Sequence, residues 1–313
     1  MSQSKHFVAA LERGDLEALR AIPKGDLHNH CWLGGRIAYV EQRLGIEIER
    51  PPMAHDAAQV FEWVSSRYAP PVLEVKERET AIEAAFVQAA HDGVTVLAMS
   101  FGALMLDRLY GGDVRREIAA FERLHETFAP HVELRPVLGF NRGLCHPDNA
   151  IGMLEGHLEL DFFQAIDLYG DEFARPIQDF KTLYRRARAY SLRLTAHVGE
   201  FGDAASVREA VTELELEQVQ HGIAAAGSPQ VMRFLADRDV QLNVCPTSNV
   251  RLGRAQDYKN HPIRTLYDHG IRVTVNTDDV AIFDQGVSEE LLNLYQAGTF
   301  SAQELDEIRR NSL

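Results

Sequence analysis

The sequence is poor in cysteine and in positive charge. Its 313 residues include three cysteines, and 32 Lys and Arg stand against 46 Asp and Glu, which gives a formal net charge of -14. Three scattered cysteines without a Cys-x-x-Cys pair exclude a disulfide framework and favour a reducing, cytoplasmic setting. The negative charge repels phosphate polymers and anionic membranes, so we expect neither nucleic acid nor a membrane as partner.

Long apolar runs are also absent. No window reaches the roughly 18 apolar residues of a membrane span, and residues 7–13 lack the apolar core of a signal peptide. The residue composition, 45% hydrophobic and 25% charged, is typical of a globular protein. The length suits one large domain with a substantial core, and we predict a single domain over residues 1–313.

Short apolar runs alternate with amphipathic stretches along the whole chain, which is typical of strand-helix units around a parallel sheet. The predicted strands are residues 26–28, 94–100, 132–139, 162–168, 192–197, 217–220, 240–244 and 271–276. Helical periodicity between them covers, for example, residues 114–128, 177–190, 204–214, 229–237 and 262–269. Eight such units predict an α/β fold of the (β/α)8 TIM-barrel type, whose active site lies at the carboxyl ends of the strands.

The stretch after the first strand is far longer than one crossover needs. We predict that residues 36–92 form a helical insertion that caps the barrel mouth. Phe61 and Trp63 either face that mouth or form the core of the insertion.

A metal site is predicted where three of these strands end. In His28-Asn29-His30 the two histidines point the same way, because alternate residues of a strand share a face. His197 and Asp278 end two further runs. Three imidazoles and a carboxylate suit one zinc ion, with iron or manganese as alternatives. Such an ion lowers the pKa of a bound water from about 15.7 toward about 7, which indicates a hydrolase.

Acid-base groups accompany these ligands. Glu200 follows His197 closely enough to deliver a proton to a substrate ring nitrogen, although a first-turn carboxylate of the next helix is the alternative. His221 is a fourth ligand, a group that orients the water, or a core histidine. Asp279 is expected to form a hydrogen bond with the substrate.

Taken together, these segments identify a resemblance: the chain resembles the adenosine/adenine/AMP deaminase family of metal-dependent amidohydrolases. The matching segments, in family order, are residues 23–30 (PKGDLHNH), Arg142, 167–172 (DLYGDE), 195–200 (TAHVGE), 221–222 (HG), 245–249 (CPTSN), 261–262 (HP) and 276–279 (NTDD). Jointly they are highly specific for that family. The resemblance implies hydrolytic release of ammonia from an aminopurine base or nucleoside.

The resemblance also implies roles for individual residues. His28, His30, His197 and Asp278 bind one zinc ion per chain, and Glu200 protonates the purine ring nitrogen beside the amino-bearing carbon. His221 and Asp278 hold the attacking hydroxide. Gly170 contacts the ring through its N–H, and Asp279 accepts from the far ring nitrogen. Arg142, one of the matching residues, and Trp32 are our further candidates for substrate binding.

The sequence departs from the family where substrates are told apart. Nucleoside deaminases of this type usually carry an aspartate that holds the sugar hydroxyls shortly after the second histidine, and adenine-specific relatives carry glutamate. Here that position is Trp32, which either stacks on an aromatic part of the substrate or packs under the insertion. Asp279 is followed by Val280 where proline is usual, so we expect a reshaped last loop.

Two alternatives remain at this point. One is another amidohydrolase that acts on a different amino-heterocycle or a cyclic amide. Its two-metal form, which acts on esters, lactones or cyclic amides, would need a bridging modified lysine at the end of the fourth strand, and residues 167–170 contain none. A non-catalytic, metal-stabilised ligand-binding barrel would not need Glu200, His221 and Asp279. The expected partner is a small-molecule amino-heterocycle, and the oligomeric state is not predicted.

Overall fold

Eight parallel strands form one sheet in chain order, β1 to β8, in a computed structural model that describes residues 3–52, 57–69, 75–104 and 110–313. The strands are β1 (Lys24–His30), β2 (Val94–Gly102), β3 (Glu133–Asn141), β4 (Ala165–Tyr169), β5 (Arg193–Val198), β6 (Gln218–His221), β7 (Gln241–Val244) and β8 (Val273–Val275). Each predicted strand is present, and the predicted (β/α)8 barrel is confirmed.

The last strand meets the first through polar groups rather than a regular ladder. Asn29 and Asp278 form an isolated parallel bridge, and the Asp278 N–H donates to the His28 carbonyl over 2.9 Å. The Leu27 N–H donates to Asn276 Oδ1 over 2.8 Å. These bonds join the ends of β1 and β8, so the residues at both ends come to one place.

Helices follow the strands around the barrel. They are α1 (Gln3–Arg13), α2 (Leu16–Arg20), α3 (Ile37–Leu44), α4 (Ala57–Trp63), α5 (Val75–His91), α6 (Val114–Phe128), α7 (Pro147–Leu158), α8 (Lys181–Ala189), α9 (Ala204–Leu214), α10 (Pro229–Asp237), α11 (Pro246–Arg251), α12 (Ile263–Asp268), α13 (Val280–Phe283), α14 (Val287–Gln296) and α15 (Ala302–Arg310). Side-chain caps fix several starts: Asp113, Asp203 and Ser228 each accept an N–H of the first turn. The predicted helix at 177–190 begins instead as a 3₁₀ turn, Ile177–Phe180, and continues as α8.

The insertion packs over the carboxyl ends of the strands. A second apolar cluster joins α3 and α4 to the loops after β1, β7 and β8, through residues such as Leu33, Trp63, Leu252 and Phe283. Trp63 is buried in this cluster, whereas Phe61 is exposed. Residues 53–56 and 70–74 of the insertion lie outside the described residues, and the assignment of residues 1–313 to a single domain stays a prediction. Among the described residues, no helix has the length and apolar character needed to cross a membrane.

Candidate active site

Four histidines from three strands meet at the carboxyl end of the barrel. β1 supplies His28 and His30, β5 supplies His197, and β6 ends at His221. The His28 ring centroid lies 5.3, 4.7 and 4.6 Å from those of His30, His197 and His221. His28 Nε2 is 3.0 Å from His197 Nε2, a separation at which two imidazole nitrogens need a proton or a cation between them.

Asp278 adds a carboxylate to this cluster. Its Oδ1 lies 3.5 Å from His28 Nε2 and 3.6 Å from His30 Nδ1. Burial alone would raise the pKa of Asp278, but the neighbouring histidines, His28 first, hold it well below its usual range. Asp278 and His221 both have left-handed backbone, with φ of 63° and 62°. Such strain in non-glycine residues is typical of functional positions.

The donor atoms fit a divalent cation. Those of His28, His197 and His221 lie within 4.8 Å of one another, and so do those of His28, His30 and Asp278. Burial lowers the pKa of His28 to about 3 and that of His221 well below its usual value, so both rings are neutral. His30 Nε2 and His221 Nε2 are buried with no hydrogen-bond partner in the described part of the chain. A buried imidazole nitrogen with a free lone pair is a ligand for a metal ion of zinc type, whereas one that carries the ring proton is not.

Each of the four imidazole rings has a polar partner at its Nδ1 atom, on the side away from the centre of the cluster. The partners are Asn243 O for His28 at 3.3 Å, Asp279 Oδ1 for His30 at 2.6 Å, Asp167 Oδ2 for His197 at 2.8 Å and Asn249 Nδ2 for His221 at 3.2 Å. An occupied Nδ1 leaves Nε2 as the atom that faces the centre. A carbonyl or carboxylate behind the ring favours the tautomer that has a free lone pair on Nε2. The amide nitrogen behind His221 instead donates to Nδ1 and puts the ring proton on Nε2. The approach of Asp167 to His197 is an ion-pair contact in which neither atom forms a hydrogen bond. Burial lowers the pKa of His30, but Asp279 raises it to about 10, so a cation at His30 would displace a proton.

Glu200 lies beside this cluster in the loop that follows β5. Its Oε2 is 3.5 Å from His221 Nε2. Burial raises the pKa of Glu200 well above its usual value, and the carboxylates of Asp278, Glu172 and Asp279 raise it further. A carboxyl whose pKa is raised by its surroundings is suited to act as a general acid.

The loop of Glu200 is held by a second carboxylate, Glu172. Its Oε1 accepts the N–H groups of Glu200 and Phe201 over 2.9 and 2.8 Å, and its Oε2 accepts that of Gly199 over 2.8 Å. Three charge-assisted bonds from consecutive amides fix the backbone that carries the acid. Glu172 itself is buried.

The predicted substrate contacts lie around the same end of the barrel. Gly170 directly follows β4 at φ 95°, and a Cβ there would lie 2.8 Å from Asn141 Nδ2. Asp279 is a hydrogen-bond partner of His30, a contact that the sequence did not indicate. Arg142 donates from Nε to the Arg175 carbonyl over 2.8 Å. The substrate roles of these residues stay predictions.

Trp32 is half-buried beneath the insertion. Its ring lies 5.7 Å from that of Tyr68, whose hydroxyl donates to the Trp32 carbonyl over 2.8 Å. Packing under the insertion, one of the two predicted alternatives, is thus present. A substrate contact by Trp32 stays a prediction.

Sequence reasoning gave no role to three residues that support the site. Asp167, Glu172 and Asn249 lie in segments that match the family, but they follow no ligand spacing along the chain. Only their positions in the fold could have indicated a role. Asp167 lies in β4 and Glu172 in the loop that follows it, beside β5, the strand that carries His197.

Comparisons with known proteins agree with this geometry. The family model for adenosine deaminase matches residues 159–313. A Treponema pallidum protein named for adenosine/adenine deaminase activity is 32% identical over 284 residues, 90% of this chain and 94% of that protein. The adenine deaminase of Rhodopseudomonas palustris is 40% identical over 149 residues, 48% of this chain and 43% of that protein.

Among solved structures, the fold is similar to that of the adenine deaminase from Arthrobacter aurescens. The TM-score is 0.79 at 26% identity, over 93% of this chain and 92% of that chain. The sequence identity over nearly the full length and the shared barrel lead to one assignment. The chain belongs to the adenosine/adenine deaminase family, whose members are hydrolases that act on carbon–nitrogen bonds.

Proposed function

We propose that this protein releases ammonia from an aminopurine base or nucleoside by hydrolysis at a single zinc site. The observation that carries this proposal is the position of Glu200, a buried carboxyl of raised pKa that lies 3.5 Å from His221 at the edge of a cluster of buried imidazoles. A site that only bound metal would have no use for a buried acid there.

The proposed zinc ligands are His28, His30, His197 and Asp278. Partners behind the three histidines accept or attract an Nδ1 proton, which leaves the Nε2 lone pairs for the ion. His221 is not a proposed ligand, because Asn249 Nδ2 faces its Nδ1 and the ring proton is then on Nε2. Bound there, zinc would supply a water of lowered pKa as the nucleophile.

The chain's own residues then act on the substrate ring. Glu200 donates a proton to the ring nitrogen beside the amino-bearing carbon, and the lost electron density makes that carbon electrophilic. His221, with Nε2 3.5 Å from Glu200 and 3.8 Å from Asp278 Oδ2, holds the attacking oxygen and stabilises developing negative charge. Asp279 and the Gly170 N–H orient the far side of the ring. A proton lost by the attacking water passes through His221 or Asp278 to the amino group, which leaves as ammonia. The remaining hydroxyl proton returns to Glu200 as the new C–O bond becomes a carbonyl.

Ammonia release from a substrate panel tests the proposal. The panel consists of adenine, adenosine, other aminopurines, aminopteridines and aminopyrimidines. Turnover of at least one aminopurine by the metal-loaded protein is expected. Turnover of cyclic amides instead, or metal binding without ammonia from any member, would contradict it.

A cytoplasmic location is part of the proposal. The three cysteines, Cys31, Cys145 and Cys245, are all buried and unpaired. Free thiols in such positions are typical of a reducing compartment.

We expect Asp167→Asn to weaken metal binding. Asp167 Oδ2 lies 2.8 Å from His197 Nδ1, and His197 lowers the pKa of that carboxyl against the effect of burial. Loss of the carboxylate behind a ligating histidine typically costs about 10- to 100-fold in metal affinity. Competition with a chelating dye measures the change, and Asp179→Asn, on the 3₁₀ turn before α8, is the control. An unaltered affinity would remove Asp167 from the support of the site.

We expect Glu172→Gln to lower kcat about 10-fold or more, since each bond to a charged acceptor contributes about 1.5–3 kcal/mol. The amide keeps the volume but presents an NH₂ group to N–H donors, so the loop of Glu200 shifts. KM and metal content should change little, because Glu172 is proposed to touch neither substrate nor metal. Steady-state kinetics measures the two parameters, and a loss confined to KM would contradict a positioning role.

A further inference from the structure

Arg78 on α5 is a buried cation without an ionic partner among the residues that the structure describes. It is 6% exposed, its Nε has no hydrogen-bond partner, and no ion pair links it to the described residues. Of the two other buried arginines of the described chain, Arg309 pairs with Asp306 at 2.7 Å, and Arg142 has no ion pair with the described residues but donates from Nε to the Arg175 carbonyl. Because an unpaired buried charge is costly, its retention indicates that an anion binds there.

The guanidinium lies over an aromatic ring. Arg78 Cζ is 4.9 Å from the centroid of Trp32, which is held in turn by the Tyr68 hydroxyl. Stacking on an aromatic face orients a guanidinium but leaves its N–H groups free to donate in its own plane. Arg78 therefore keeps the donors that recognise a carboxylate or a phosphate.

This group stands beside the catalytic cluster. Trp32 follows the proposed ligand His30 by two residues, and the next carbonyl, that of Leu33, accepts the Ala281 N–H over 2.8 Å. That bond ties the Trp32 loop to the segment that begins with Asp279. Burial raises the pKa of Tyr68, and its side chain feels both Arg78, which lowers that pKa, and Asp279, which raises it.

The charge at this place is opposite to the one that the family resemblance implies. Where nucleoside and adenine deaminases of this type carry an acidic residue, this chain has Trp32 with Arg78 behind its ring. A carboxylate accepts hydrogen bonds from sugar hydroxyls, whereas a guanidinium donates to anions. The presence of Trp32 and Arg78 in place of the acidic residue therefore favours a substrate with an anionic substituent.

We propose that Arg78, backed by Trp32, binds a carboxylate or phosphate group that the aminopurine substrate carries on the side away from its reacting amino group. This inference rests on the proposed deaminase function, because it names the substrate class of the same site. The negative charge of Asp278, Asp279 and Glu172 around the cluster requires that the anion stay at the Arg78 side of the pocket.

Two matched substrate pairs test it. One pair is 9-(2-carboxyethyl)adenine and its carboxamide, and the other is adenosine 5′-monophosphate and adenosine. For at least one pair, kcat/KM should be about 10- to 100-fold higher for the anion, the range of a hydrogen bond to a charged group. The pair that shows the preference identifies carboxylate or phosphate. Arg78→Met should abolish the preference, because its loss of kcat/KM on the anionic member should exceed its loss on the neutral member by about the same 10- to 100-fold.

Controls separate the effect of the site from that of net charge and folding. Arg67→Met makes the same charge change in the same insertion at an exposed residue that pairs with Glu49, and it should keep the preference. Metal content and thermal unfolding report folding. Should Arg78→Met be unfolded, Arg78→Lys, which keeps the charge but loses the planar fork, should reduce the preference without abolishing it.

Equilibrium binding of the deaminated products, measured by calorimetry, gives a readout that needs no turnover. Arg78-dependent binding of the anionic products without any ammonia release would overturn the proposed function and support the anion site. Ammonia release from neutral aminopurines, with no preference for anions in kinetics or binding, would overturn the anion site and leave the deaminase intact. An equal loss on anionic and neutral substrates in Arg78→Met would also overturn it.

Discussion

Glu200→Gln is expected to retain its metal and to lose about 10²- to 10⁴-fold in kcat, the usual contribution of a general acid. Glutamine keeps the shape of the side chain but has no proton to give. The environment favours this role, because burial and three neighbouring carboxylates raise the pKa of Glu200 and so favour its protonated form. Steady-state ammonia release and metal analysis measure the two quantities.

The matched control for this variant is Glu209→Gln. Glu209 lies on the exposed face of α9, where its carboxylate accepts a hydrogen bond from Gln178. It undergoes the same chemical change outside the site, and we expect kcat within about twofold of wild type, as for surface substitutions in general. Ammonia release by Glu200→Gln at the wild-type rate would end the assignment of Glu200 as proton donor.

His30→Ala and His221→Ala are expected to differ in metal content although both lose activity. His30→Ala removes a ligand, so its metal affinity should fall by more than the about 10- to 100-fold that loss of an outer hydrogen bond costs. His221→Ala should keep one ion per chain and lose about 10²- to 10³-fold in kcat, the cost of one group that stabilises transition-state charge. Metal analysis after gel filtration, together with ammonia release, distinguishes the two variants.

This comparison matters because the donor atoms form overlapping groups. His28, His197 and His221 lie as close together as His28, His30 and Asp278. The distances between the donor atoms do not show which of these sets binds the metal. The partners at the Nδ1 atoms of the rings favour the set with His30 and Asp278. If His221→Ala lost the metal and His30→Ala kept it, the ligand set would be His28, His197 and His221, and the proposed role of His221 would be wrong.

The barrel was predictable from sequence because its signals are local and repeated. Buried parallel strands appear as short apolar runs, and a cap such as Asp203 marks where the next helix starts. The sixth strand was the least certain prediction, and the bounds of β4 and β8 differ from the predicted 162–168 and 271–276. β8 ends at Val275, and the next residue, Asn276, takes part in barrel closure through its side chain and leaves no apolar pattern. The predicted helix at 177–190 differs because Ile177–Phe180 tightens into a 3₁₀ turn before α8.

The residues of the proposed catalytic cluster were predictable from sequence only in part. His28 and His30 share a strand face, and residues at strand ends converge in any barrel, so the gathering of ligands followed from pattern and fold. The partners behind the rings did not follow. Asp167 reaches His197, and Glu172 reaches the Glu200 loop, only after neighbouring strands are in register. The burial of Arg78 without an ion pair to the described residues likewise depends on packing. Its neighbours in the sequence do not indicate a buried cation.

The most direct test of the central claim is a zinc titration of the chelator-treated protein, followed by ammonia release from an aminopurine that the wild-type enzyme turns over. We predict no activity before zinc is added, a linear rise, and a break at one equivalent per chain. Full activity in the metal-free protein, or a break at two equivalents as a two-metal amidohydrolase would give, would contradict a single ion held by His28, His30, His197 and Asp278.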